Sequence, residues 1–212
     1  MKKQFYSLLA LVTVLLFACE PPVVFDKPQP ADFPVLENFP KRLQGKYLSL
    51  NDSSTLVVTE NALIRNYDYD MEVHISQIDS NMQLIGDTLF DLRTNTGSVV
   101  TFSGDSIWQH FHETDTLFMI DKLNVLKKFK GFYFVNIHIP TDSWQVKKLE
   151  LSRGTLLMSS INKKEDIDQL KAITESTQDT IPYMFSPTKK QFKSFVRNEG
   201  FRDIEKFVKV KE

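Results

Sequence analysis

From Arg42 onward, short apolar runs alternate with polar residues at a period of two, and turn residues interrupt them at roughly ten-residue spacing. Leu56-Val57-Val58, Leu63-Ile64, Met71-Glu72-Val73-His74-Ile75 and Val99-Val100-Thr101-Phe102 are rich in the β-branched and aromatic side chains that suit a pleated, half-buried surface. Asn-Asp-Ser-Ser, Thr-Glu-Asn, Asn-Thr-Gly and Ser-Gly-Asp, the residues of tight turns, separate them. The pattern predicts a mainly β (α+β) domain with an antiparallel meander, barrel-like or sandwich arrangement.

Two self-similarities lie inside this pattern. Leu43-Gln44-Gly45-Lys46-Tyr47-Leu48 recurs as Phe129-Lys130-Gly131-Phe132-Tyr133-Phe134. The first copy is followed by Leu56-Val57-Val58-Thr59-Glu60-Asn61-Ala62-Leu63, and the second, at nearly the same distance, by Leu149-Glu150-Leu151-Ser152-Arg153-Gly154-Thr155-Leu156. Each copy reads as a Gly-x-Tyr strand, then a strand, a tight turn and another strand. Asp-Thr-Leu-Phe also occurs twice, at 87–90 and 115–118, where it is expected to open strands. Two related β units, about 43–122 and 127–212, are therefore expected to pack as a single domain over 41–212, since each alone would leave an apolar face uncovered. The Gly-x-Tyr opening of a meander resembles the start of lipocalin-type barrels; the likeness covers three residues per copy and implies no ligand site.

The period changes again near the end of the chain. Asn162-Lys163-Lys164-Glu165 has the form of a capping box, and Ile167, Leu170 and Ile173 follow at helical spacing. Thr188-Lys189-Lys190-Gln191 is a second such start, with Phe192, Phe195 and Val196 as its apolar stripe and Gly200 as its stop. Phe207-Val208-Lys209-Val210 predicts a closing strand. Residues 186–212 carry eight basic and four acidic side chains. Such a segment is either the solvated face of an amphipathic helix or a face drawn to anionic lipid headgroups or a polyanion.

The N-terminus bears on location. Lys2 and Lys3, the mostly apolar run Phe5–Phe17 and the small Ala18 have the layout of an export signal over residues 1–18. The run is short of the about 20 apolar residues that a membrane-spanning helix needs. Leu16-Phe17-Ala18-Cys19 resembles the lipobox of bacterial lipoproteins, although Phe17 departs from the small residue usual there. That resemblance implies that Cys19, the sole cysteine, is the lipid-attachment residue. It would carry two acyl chains on sulfur and usually a third on the new amino terminus, and two or more chains anchor firmly. Glu20 in place of the aspartate that favours inner-membrane retention points to the outer membrane. In general character the chain resembles small exported lipoproteins of Bacteroidota-type bacteria, which implies no activity.

With Cys19 lipidated no intramolecular disulfide can form, so the fold must rest on its core, and 17 Phe, 6 Tyr and 2 Trp supply one. Without Lys2 and Lys3 the net charge is −3, which excludes the strongly basic footprint of general nucleic-acid binding. Residues 19–40 hold six of the nine prolines, and read as a lipidated N-terminus and Pro-rich spacer or tether. Val23, Val24, Phe25, Phe33, Val35 and Leu36 give it surfaces that could lie on the domain.

Reactive chemistry is sparse. Trp108-Gln109-His110-Phe111-His112-Glu113 puts His110 and His112 on one strand face beside Trp108. Two imidazoles at that spacing are candidate metal ligands, but zinc wants three or four protein ligands, and only His74 and His138 could add imidazoles. Asn66-Tyr67-Asp68-Tyr69-Asp70 sets two carboxylates on one face and two tyrosines on the other, without the spacing of a calcium loop. No G-x-G-x-x-G, Walker pattern or G-x-S-x-G elbow occurs, and no thiol remains as a nucleophile. The expectation is a membrane-anchored envelope lipoprotein that acts as a binding or assembly module, with an envelope protein or small ligand as partner. It has no assigned catalytic residue and no cofactor beyond the covalent lipid. The alternatives are a metal-assisted hydrolase using His110 and His112, or a purely structural envelope lipoprotein.

Overall fold

The computed structural model describes residues 21–210; the export segment and Cys19 lie outside the described residues. The chain begins with two short strands, β1 (Val23–Phe25) and β2 (Val35–Leu36). A meander follows: β3 (Gly45–Ser49), β4 (Thr55–Val58) and the long β5 (Ala62–His74). Beyond a 3₁₀ turn at Ile75–Gln77 come β6 (Met82–Ile85), β7 (Thr88–Asp91), β8 (Thr96–Ser103) and β9 (Ser106–Met119). The second half holds β10 (Val125–Phe129), β11 (Phe132–Ile139), β12 (Ser143–Ser152), β13 (Thr155–Ser160), α1 (Lys164–Thr174), β14 (Tyr183–Phe185), α2 (Lys189–Arg197) and β15 (Asp203–Lys209).

The strands join in the order β2-β10-β11-β12-β13-β15-β3-β4-β5-β9-β8-β7-β6, all antiparallel, with β1 and β14 attached beside β12. The protein is thus mainly β, an open antiparallel sheet with two late helices. Its curvature shows in its core. Leu126 of β10 and Phe118 of β9 lie far apart in strand order, yet both belong to one buried cluster with Tyr47, Leu56, Tyr133 and Phe207.

The two copies of the sequence pattern occupy equivalent places. β3-β4-β5 and β11-β12-β13 are three-stranded meanders, and β15 joins them by pairing with β13 on one side and β3 on the other. Leu56 and Leu63 of the first copy, and Leu149 and Leu156 of the second, all turn into the same core. The second Asp-Thr-Leu-Phe does not open a strand: it falls at the end of β9, whose pairing with β5 continues without a turn through Asp115.

The outer face of β11 and β12 is covered by a second layer. Phe134 and Val146 point away from the first core into a cluster with Phe25, Leu170, Phe185, Phe192, Phe195 and Phe201. The rings pack edge-on, with centroids 5.4 Å apart for Phe134–Phe192 and 6.1 Å for Phe25–Phe192, a favoured aromatic geometry. Both helices present the expected stripes. Thr188 and Gln191 form the predicted reciprocal cap of α2, but Asn162 does not cap α1. Lys163 stands at that position without a side-chain cap, and the Asn162 amide donates instead to Asp203 Oδ2 at 2.6 Å.

Residues 21–40 are not a spacer held off the domain. Val23, Val24 and Phe25 are buried, β1 pairs with β12 and β14, and β2 extends the sheet edge at β10. Between them the Asn136 amide donates to the Gln29 carbonyl while its oxygen accepts from the Gln29 N–H. The buried Lys127 ammonium donates to the Pro28 and Pro30 carbonyls. Proline lacks a donor but keeps its carbonyl, and these side chains use those carbonyls to hold the segment. The folded unit therefore takes in the segment expected to be a tether.

Candidate functional site

β5 and β9 outrun the sheet that holds their base. β4 follows β5 only as far as Asn66, whereas the β5–β9 ladder continues to His74 opposite Ser106. β8 covers β9 only from Ser106 to Gln109. Between Tyr67–Asp70 and His110–Glu113 the structure is a two-stranded ribbon whose outer edges have no ladder partner among the described residues. At its far end β6, β7 and β8 close over a small cluster of Leu89, Val100 and Ile107, backed by Val73, Ile78, Met82 and Leu84.

The register sorts the ribbon's side chains into two faces. On one, Tyr69 stacks on Phe111 with centroids 5.2 Å apart and planes 13° from parallel. The Tyr69 hydroxyl donates to Glu113 at 3.0 Å, and that bond raises its pKa. Toward the tip this face runs into a groove of about 460 Å³ whose apolar wall includes Met71, Val73, Met82, Leu89 and Phe111. Trp108, on the opposite face, is exposed, as are Phe102 and Val99 in β8.

The other face carries two cross-strand acid–imidazole couples. Asp68 lies opposite His112 and Asp70 opposite His110. The Nδ1 of His112 is 2.6 Å from Asp68 Oδ1, and that of His110 is 2.8 Å from Asp70 Oδ1. The hydrogen bond from His112 holds the Asp68 carboxyl below its ordinary pKa. His110 and His112 do share a face beside Trp108, as the spacing predicts. The side chains of both are about 60% exposed (62% and 60%).

His74 and His138 do not join them. His74 turns its Nδ1 to the Ser76 hydroxyl and caps the 3₁₀ turn. His138 lies on β11 against the Trp144 ring and beside Asp142. Among the described residues no three His, Cys, Asp or Glu side chains converge as a metal would require. Asp68, His112 and the Thr114 hydroxyl, which is 3.5 Å from His112 Nε2, fall in a line that resembles a nucleophile–base–acid series. The Thr114 hydroxyl, however, donates to Asn66 at 3.0 Å, and the line lies on an open strand face with no wall to exclude water.

Sequence reasoning placed the histidines, the aspartates and the tyrosines on their faces separately. It missed that they meet, because the pairing of β5 with β9 spans some forty residues and no local signal sets that register. Among the described residues no helix is long and apolar enough to cross a membrane. Comparison with family models, curated proteins and solved structures returns no match.

Proposed function

We propose that the protein is a lipid-anchored envelope lipoprotein, favouring the outer membrane, whose sheet body carries the β5–β9 ribbon as an arm for binding an extended segment of an envelope partner. One observation carries the binding reading: the middle of the ribbon is exposed on both faces and open on both edges, and the ribbon bears Tyr69 there and Met71 and Trp108 toward its tip, all in the open. Unpaired strand edges are templates for strand addition, in which backbone hydrogen bonds give affinity and alternate side chains give specificity. The adjoining apolar groove would receive one or two of the partner's side chains. The anchor reading rests on the Leu16–Cys19 motif and the export signal before it.

Photo-crosslinking from position 69 or 108 in intact cells should yield a discrete adduct that is absent when the crosslinker stands at Lys122, on the body. The arm reading is refuted by silence at both ribbon positions. Cys19→Ala should abolish acyl labelling and move the protein to soluble fractions; unchanged labelling would refute the anchor.

A further inference from the structure

A cavity of about 670 Å³ lies between α2 and the outer face of β11 and β12, within the size range of small-ligand sites. Its floor is aromatic and its rim is basic. Phe132 and Phe201 flank the half-buried Lys148, whose ammonium sits 5.0 Å and 5.9 Å from their ring centroids. Lys130 enters from the β10–β11 turn and Arg197 from the last turn of α2. Two carboxylates, Glu150 and Glu199, also line it.

Three of the four cations that line it are not consumed by the fold. Arg202, at the same wall, is committed to the fully buried Asp166 and to Gln169. Lys148, Lys130 and Arg197, by contrast, make no ion pair among the described residues. Burial pushes the Lys148 ammonium below its ordinary pKa, and the nearby charges of Glu150 and Asp166 offset this only in part. The same basic stripe continues along α2, where Lys193 lies over both Phe33 and Phe129. Cations held over rings, with donors left unused, form a surface prepared for an anion.

We propose that this cavity binds a phosphate-bearing ligand with an apolar body, its phosphate met by Lys148, Lys130 and Arg197 and its body laid against the partly exposed Phe132. Three donors brought from three separate elements match the three acceptor oxygens of a phosphomonoester better than the two of a carboxylate. The source is either the phosphomonoester headgroup of a phosphatidic-acid-type lipid at a membrane surface or a soluble phosphate monoester, and both present the same three free oxygens. The site lies apart from the ribbon and does not depend on what the ribbon does.

The test titrates the full chain, in neutral detergent, with phenyl phosphate, and separately follows its binding to vesicles of phosphatidylcholine with and without phosphatidic acid. At least one probe should bind, and Lys148→Met should weaken that binding about tenfold or more, as the loss of a charge-assisted bond implies. Lys130→Gln, an exposed substitution that leaves the core untouched, should weaken it several-fold. Lys122→Gln, remote from the cavity, should leave it unchanged. Lys148-dependent binding of phenyl phosphate identifies a soluble ester as a fitting ligand; such dependence seen only with vesicles that contain phosphatidic acid identifies a headgroup. The proposal is overturned if neither probe binds, if Lys148→Met and Lys130→Gln bind as the parent does, or if Lys122→Gln weakens binding equally.

Discussion

At Gly200 a Cβ would come within 2.5 Å of the Phe195 ring, closer than any real packing contact. The Gly200 N–H also donates to the Phe195 carbonyl, which closes α2 onto its own aromatic stripe. Gly200→Ala should therefore cost about 1–3 kcal/mol, the usual cost of overpacking. Thermal unfolding would read this as a lower midpoint, partly recovered in the double variant with Phe195→Leu; an unchanged midpoint would show that the helix end can shift freely. Asp52 shows the opposite kind of dependence. Partial burial alone would raise its carboxyl, but hydrogen bonds from Ser54 and Ser49 and the charge of Arg65 override it and hold the carboxyl well below the usual carboxylate range. Arg65 ties this corner together, bonding Asp52 at 2.8 Å and Glu205 of β15 at 2.7 Å. A carboxyl whose folded pKa is depressed adds stability above its unfolded value near about 3.9 and loses it as pH falls through the folded one. The parent should therefore lose stability relative to Asp52→Asn on acidification from about pH 5 towards pH 3. If the two denaturant midpoints fall in parallel over that interval, the Arg65 corner contributes no acid dependence.

Among the elements, the β5–β9 ribbon has the weakest support. A two-stranded ribbon is marginal in water unless packed against something. Here its middle is held by the Tyr69–Phe111 stack and two exposed Asp–His couples, each of which contributes little on its own. Amide exchange should therefore be faster at residues 67–70 and 110–113 than in β11, β12 and β13, whose side chains enter buried clusters. Equal protection in the two regions would mean that the ribbon is stabilised by something beyond its cross-strand pairs. β1 and β2 are the contrasting case. Both are very short, yet buried Val23, Val24 and Phe25 bind β1 to the body, pairing with β10 holds β2, and the Gln29–Asn136 bonds fix the segment between them.

The whole molecule depends on β15. It is the joint between the two meanders, and its Phe207 is fully buried in the core to which both contribute. Ending the chain at Arg202 would expose the facing edges of β3 and β13 and remove a buried Phe, a change that alone costs about 3–5 kcal/mol. The truncated chain should lose its cooperative thermal transition in circular dichroism; a near-native melt would show that each meander holds by itself. Much of this architecture is legible in the residues. The period of two, the repeated Gly-x-Tyr pattern with its leucines, and the stripe and cap of α2 report local preferences, and local chemistry determines them wherever the chain packs. The resemblance of residues 16–19 to a lipobox is likewise a property of the linear chain. Other features were decided only when the chain closed. The proline segment joined the core because Asn136, Lys127 and the second-layer phenylalanines were there to receive it. The second Asp-Thr-Leu-Phe became the end of a long strand because β5 lay alongside. His110 met Asp70, His112 met Asp68, and Lys148 met Phe201 because strand register and layer packing join residues far apart in sequence, and no local preference encodes those distances.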